Sequence, residues 1–592
     1  MDRNDGEVYC GKTSRKLVIM RTTYPEAKFE FIDTTAAEDS TIVCDTCNPI
    51  SELELLCQKE ISVPEYATLE RNCFILDGSR EIMDEIPNDV PFFSSQTSDD
   101  NCVISQSITI EFSKEHSSVG FTLTFAEQYM TSIRITCFGQ DQTKILSKTF
   151  TPNCSVYYCD MNVQRYCKVV IDFMNTKLPG QYIKLNNILF GREWLLSRDR
   201  IKTASLYEEV DATSATLSIN TAKVEIIDKE GDFNLKNQNG LWKALQREQA
   251  ICVVEHIDNS VVDCGMFYLN DWISKDNVVS LSFVDLLGVM DKTTFYEGEI
   301  YQDIEAGQIV EKIMNSFGSD SYEIEEEVAT IKLNGYLGIQ SHRAALQQVA
   351  FACGAVVDCS RGDKIRIFKH DKYVKRFIGI DRKFQGTTVK LDDYISSVSI
   401  SYKTYSLDDA GSEVFKGMLN QGENRIEFTS PCLPESMIPS NGTIKEAKTN
   451  YIVLNMDKSG ECIITGKKYN SVENTVKASV DQIEVGEVKK DKSYSGCTLM
   501  DSIRAKNVAD FILDFYQMRQ IVTMKFVNDG ECAGDWCDVY DRNNGIAVTS
   551  IVKQEINLSG GNIAQVTCRG YSKVVTDLAY IGEIYAGERS LI

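Results

Sequence analysis

Short runs of alternating polar and apolar residues dominate the chain. Thr216–Ile219 and Lys223–Ile227 alternate, Ala250–Glu255 and Val261–Leu269 flank a turn at 257–260, and Val278–Phe283 runs into Asp285, Leu286, Leu287 and Gly288, which open a short helix. Period-two runs separated by turn residues predict a barrel-type block of strands over 205–291. The period then changes. Ala306, Ile309, Val310, Ile313, Met314 and Phe317 fall on one helical face, with Gly318 as the stop. Ser341 caps a second predicted helix striped by Leu346, Val349, Ala350 and Cys353, which Gly354 ends. A hairpin follows, Ala355–Asp358 and Lys364–Lys369 around a turn at 360–363. Val508, Phe511, Ile512, Phe515 and Tyr516 predict a third helix, and Gly534–Val539 opens a last group of strands with turns at 543–545 and 559–561.

Upstream, Ile104–Phe112, Gly120–Phe125, Ser132–Phe138, Lys144–Phe150, Lys168–Phe173 and Tyr182–Leu185 alternate at the spacing of a β-sandwich. The segment Lys177–Leu185 resembles the last strands of galactose-binding-like, discoidin-type sandwiches. Phe74–Gly78 resembles a motif that precedes such sandwiches in prophage tail proteins of Gram-positive bacteria. Three further blocks, Ala204–Val210, Val224–Asp228 and Leu281–Gly288, together with the order of elements over about 205–585, resemble the hub proteins at the distal end of phage tails. That family takes in baseplate hubs, tail-associated and tail-tip proteins, and tailocin parts.

The resemblance implies a mainly β fold with α+β insertions: a galactose-binding-like β-sandwich followed by two tube-like β-barrel domains and inserted helical segments. The boundaries expected are 1–95, with no assigned role; 96–197, the sandwich; 198–302, the first barrel; 303–374, a helix-containing insert; 375–478, a β-rich continuation; and 479–592, the second barrel with a tail. The first barrel is expected to draw strands from 200–300 and 375–405, the second from 480–575. The resemblance further implies a homotrimer that adapts a six-fold tail tube to the baseplate, touching tube, tail-tip and tape-measure proteins and passing DNA through a channel. Its place would be the virion tail, assembled in the host cytoplasm. The alternative is a tail protein that recognises a cell-surface glycan through the sandwich.

Composition adds modest limits. A length of 592 residues fits three to five domains, and 43% hydrophobic residues is ample for their cores. No run approaches the roughly 20 apolar residues of a membrane span, and the first residues lack the basic and apolar regions of a signal peptide. A formal charge of −24 argues against an outer surface that grips nucleic acid. An acidic channel wall would let DNA slide past, although acidic surfaces also serve plain solubility.

Candidate chemistry is sparse. Twenty cysteines without a signal peptide read as buried, reduced thiols. The one zinc candidate is the CxxC pair Cys44 and Cys47 with Cys57 and Cys73, whose second half lacks the CxxC turn of a strong zinc ribbon. His116, His256, His342 and His370 are scattered outside any ligand spacing, with His116 expected in a loop. No nucleophile elbow or phosphate loop is present, Arg361, Gly362 and Asp363 read as a hairpin turn, and the carboxylate runs read as solvated charge. The expectation is a protein with no catalytic residues and no cofactor, and no lysin module beyond the last barrel.

Overall fold

The computed structural model describes residues 23–573 apart from 33, 45, 58–89, 127–128, 197–199, 230, 232, 235, 237–244, 246, 258–259, 371–375, 482–485 and 541–544. The fold is mainly β with few helices, and the chain forms two compact units, one of residues 28–196 with 239–249 and one of the remainder.

In the smaller unit seven strands make one antiparallel sheet: β1 (Ser40–Val43), β2 (Phe92–Phe93), β3 (Val103–Phe125), β4 (Met130–Phe138), β5 (Lys144–Phe150), β6 (Val156–Thr176) and β7 (Lys184–Leu189), in the order β2-β7-β3-β6-β4-β5 with β1 on β3. Two strands expected at 104–112 and 120–125 are a single 23-residue strand. The alternation explains both the expectation and the difference. Ile108, Ile110 and Phe112 point inward on even positions, whereas Phe121, Leu123 and Phe125 do so on odd ones. Register shifts between 111 and 120 against β6 absorb the change of parity, so both halves of the strand feed one core. Gly120 sits in this stretch, where a Cβ would lie 2.5 Å from the Cys159 carbonyl oxygen. Part of the segment 1–95 belongs to this sheet through β1 and β2. The Phe74–Gly78 motif lies outside the described residues.

The larger unit is organised around one sheet with two halves. The first half is β8 (Ile201–Glu209), β9 (Thr221–Ile227), β10 (Ala250–Ile257), β11 (Ser260–Lys275) and β12 (Val278–Val284), ordered β8-β9-β12-β11-β10. After it come the short helix α1 (Leu286–Met290), α2 (Ala306–Phe317), α3 (His342–Cys353) and a hairpin of β13 (Val356–Asp358) and β14 (Ile365–Phe368). Next are β15 (Arg376–Ile378), β16 (Thr388–Leu391), β17 (Ile395–Leu407), β18 (Tyr469–Ser479), β19 (Lys490–Cys497) and α4 (Ser502–Gln517). The last four strands are β20 (Gln520–Val527), β21 (Trp536–Tyr540), β22 (Ile546–Asn557) and β23 (Ile563–Lys573). These form the second half, β21-β22-β23-β20, and β22 pairs with β8 to join the halves, Ser205 opposite Asn557 and Glu209 opposite Lys553.

Three expectations are corrected here. Residues 376–391 pair with the second half instead of the first: β15 runs parallel to β21 and β16 antiparallel to β20, so this segment straps the C-terminal strands together. Residues 395–407 and 490–497 belong to neither half, because β17 pairs with β18 and β19 in a separate three-stranded sheet. Thr216–Ile219 is not a strand. The Asp211 carboxylate accepts from the Thr213 amide at 2.9 Å and the Thr216 amide at 3.0 Å, which holds the backbone in a turn, and Leu217 packs into the helical core instead.

The helices form as the period predicted. Gly318 and Gly354 end α2 and α3 at φ 85° and 56°, and the Ser341 hydroxyl accepts from the Ala344 amide at 3.2 Å. Ile309, Ile313, Leu346, Val349, Val508 and Ile512 meet in one core to which α2, α3 and α4 all contribute. Between β17 and β18 the chain leaves this core and builds a small β module over 412–466 around Ile426, Leu454, Cys462 and Ile464.

Candidate functional site: the junction of the two sheet halves

The residues that join the halves are polar where the alternation calls for apolar ones. On β8, Ala204 and Leu206 face inward as expected, and the next inward position is Glu208, fully buried. Its partner comes from the hairpin turn at 360–363. Arg361 has φ 57° and Gly362 φ 102°, a backbone that throws the Arg361 side chain under β8, where its Nε donates to Glu208 Oε1 at 2.7 Å. Close approach is allowed by Gly265 on β11 at φ 110°, whose missing Cβ would stand 3.4 Å from the Arg361 amide nitrogen. The Met266 amide then donates to the Gly362 carbonyl at 3.0 Å.

The second half completes the network. Gln554, buried on β22, donates to Glu208 Oε2 and to the Glu531 carbonyl, the latter at 3.0 Å. Glu531 is itself buried, and both its carboxylate oxygens accept from Arg382 Nη2 at 2.7 Å. Arg382, from the strap between β15 and β16, also donates to the Val527 carbonyl at 2.8 Å. One connected set therefore ties the first half, the hairpin, the strap and the 528–535 turn. Gly534 allows that turn with φ 90°. Burial works against the charged form of Arg361, yet the facing Glu208 outweighs it and raises the guanidinium above its ordinary value. Nearby, burial pushes the Cys264 thiol up to about 12 and raises Cys532 as well, so neither is poised as a nucleophile.

The residues singled out for chemistry are dispersed. Cys44 donates to the Ser107 carbonyl at 3.3 Å, and Cys47 lies close enough to Cys44 for their thiols to interact. Burial raises Cys57 to about 11, and Cys73 lies outside the described residues. Among the described residues no group of three or more histidines, cysteines or carboxylates is arranged to hold a metal ion. The 18 described cysteines are free thiols.

Each histidine has a packing role. His116 lies within β3, not in a loop, its Nε2 2.9 Å from Asp39 and its ring tilted against Phe112. His256 stacks on Tyr24 at 4.5 Å. His342 shares a hydrogen bond with Thr293 at 2.8 Å between Phe295 and Phe317, and His370 meets the Trp536 ring edge-on. The junction residues were missed because a buried pair between positions 153 apart leaves no local spacing. Its only trace is Glu208 breaking the alternation of β8.

No family model matches the chain, and no curated protein matches it. Among solved structures it is similar to a tail protein from Neisseria meningitidis, at 10% identity and a TM-score of 0.39 over 64% of this chain and 93% of that one. A prophage tail protein from Listeria monocytogenes gives 10% identity and a TM-score of 0.36 over 64% and 91%. An E. coli component of the type VI secretion system gives 7% and 0.32 over 63% and 74%. No residue role passes from these structures to this chain.

Proposed function

We propose that this chain is a structural hub protein of a phage tail or tail-like particle. Three copies would end the tail tube, present six similar sheet halves to a six-fold ring, and leave an axial channel for the tape-measure protein and DNA. The observation that carries this reading is the pairing of β8 with β22, which makes two strand groups from opposite ends of the unit into one sheet. A protein that must present two like surfaces in fixed relation needs such a rigid joint, and the buried Glu208, Arg361, Gln554, Glu531 and Arg382 set supplies it. No catalytic step is assigned: the buried charges pair with one another, and the thiols beside them are raised out of the reactive range.

Electron microscopy of the purified, assembled protein tests the proposal. A ring with a central channel is expected; isolated elongated single chains under all assembly conditions would overturn it.

A further inference from the structure

The CxxC pair sits at a turn that the smaller unit holds in place. Cys44 follows β1, which pairs with β3 as far as Val43 opposite Thr109, and Cys47 forms an isolated bridge with Ser94, just past β2. One side chain grips the turn between the two cysteines. Gln106 on β3 is 7% exposed, and its Nε2 donates to the Thr46 carbonyl, to Thr46 Oγ1 at 3.2 Å and to Cys44 Sγ at 3.6 Å. Cys44 Sγ in turn donates to the Ser107 carbonyl at 3.3 Å. With the turn so held, the Cys47 thiol comes within hydrogen-bonding reach of Cys44. Both cysteines are half-buried and open to small reagents, unlike Cys57, which is buried in the core they pack against.

We propose that Cys44 and Cys47 are a thiol–disulfide switch, reduced as two thiols and closed to an intramolecular disulfide by exchange with a low-molecular-weight disulfide such as oxidised glutathione. The Cys44 thiolate attacks one sulfur of that disulfide, whose S–S bond breaks and releases one small thiolate, leaving Cys44 in a mixed disulfide. The Cys47 thiolate then attacks Cys44 Sγ, forms the Cys44–Cys47 bond and releases the second small thiolate. The two protons given up by the cysteines go to the two released thiolates, so the protein loses two electrons and the small disulfide gains them. The order of attack follows from the surroundings of each sulfur. Gln106 gives Cys44 a donor that solvates its thiolate, the attacking form. Cys47 is raised, first by burial and then by the neighbouring Cys44, so it waits as a thiol. The second cause vanishes once Cys44 is capped, which readies Cys47 to attack. A ring closed over so short a stretch gains little from loop entropy, so reducing thiols open it again. The switch stands open in a reducing cytoplasm and closes outside it. It is independent of the hub reading.

The test is made on the full chain, equilibrated without denaturant in glutathione buffers of rising oxidation and quenched with an alkylating reagent. The expected result is a loss of two hydrogens in intact mass, with Cys44 and Cys47 found together in one closed peptide and both recovered as thiols after reduction. Cys154, which is exposed, takes up glutathione and so reports that the reagent is active. Cys44→Ser should abolish the two-hydrogen loss at this peptide. Separate glutathione on each of Cys44 and Cys47, or both remaining free once Cys154 is modified, overturns the inference. So does closure to the same extent in urea, since the folded turn then contributes nothing. Zinc retained by the purified protein and lost in Cys44→Ser would overturn it as well, by making the pair part of a metal site. None of these outcomes bears on the channelled ring expected of a hub.

Discussion

Arg361 ties several elements together. It reaches Glu208 on β8, the Asp263 carbonyl on β11 at 3.4 Å and the Glu531 carbonyl at 3.5 Å. Removing one member of a buried ion pair strands the other charge, at about 3–5 kcal/mol. Arg361→Ala is therefore expected to lower unfolding free energy by that amount in chemical denaturation, whereas Arg361→Met with Glu208→Gln should recover much of it. Asp285 offers a second test. It caps α1, accepting from the Gly288 amide at 3.0 Å and the Asn220 amide at 2.9 Å, and burial raises its carboxyl from 3.8 to about 7. A raised carboxyl favours the protonated fold, so its contribution is complete below about pH 4 and is lost as pH rises through 7. Asp285→Asn keeps one of the two acceptor oxygens, which lowers stability at every pH, and removes the titration. Its melting temperature should fall less between pH 5 and pH 8 than the parent's; equal slopes would refute the assignment.

At the scale of elements, the turn over 528–535 depends on Gly534. Its φ of 90° suits glycine, and a Cβ there would meet only Val210 methyl groups at 3.8 Å and beyond, so backbone strain and not collision sets the penalty. Gly534→Val should cost about 1–3 kcal/mol, read as a lowered melting temperature. The counterpart turn at 543–545 lies largely outside the described residues. Elements with local signals were legible in the sequence: the stripe of Ile309, Ile313 and Met314 ended by Gly318, and the cap at Ser341. Asp501, which caps α4 by accepting from the Arg504 amide at 2.8 Å, was equally local and was not read. What the sequence hid was non-local. Residues 376–391 carry no local sign of the strands they pair with, so the expected first barrel takes in a strap that belongs to the second half, and the parity change in β3 reads as a gap between two strands.

For the whole molecule, the thiols report how closely the chain packs. Cys154 is exposed, while burial raises Cys137 and Cys159 to about 12. Brief alkylation of the native protein should modify Cys154 first among the described cysteines, and denaturation without reductant should open nearly all 20 cysteines. Several disulfides would instead mark an oxidising compartment. The hub reading further expects no digestion of cell walls by the purified chain, and expects assembly to survive alanine at His116, His256 or His370. His256 packs against Tyr24, His116 against Phe112 and His370 against Trp536. The most direct test of the central claim is the mass of the assembled species by mass photometry across nanomolar to micromolar concentration. Three copies of the 66.6 kDa chain, seen as one stable species, is the predicted result; a monomer at every concentration and in assembled particles alike would contradict it.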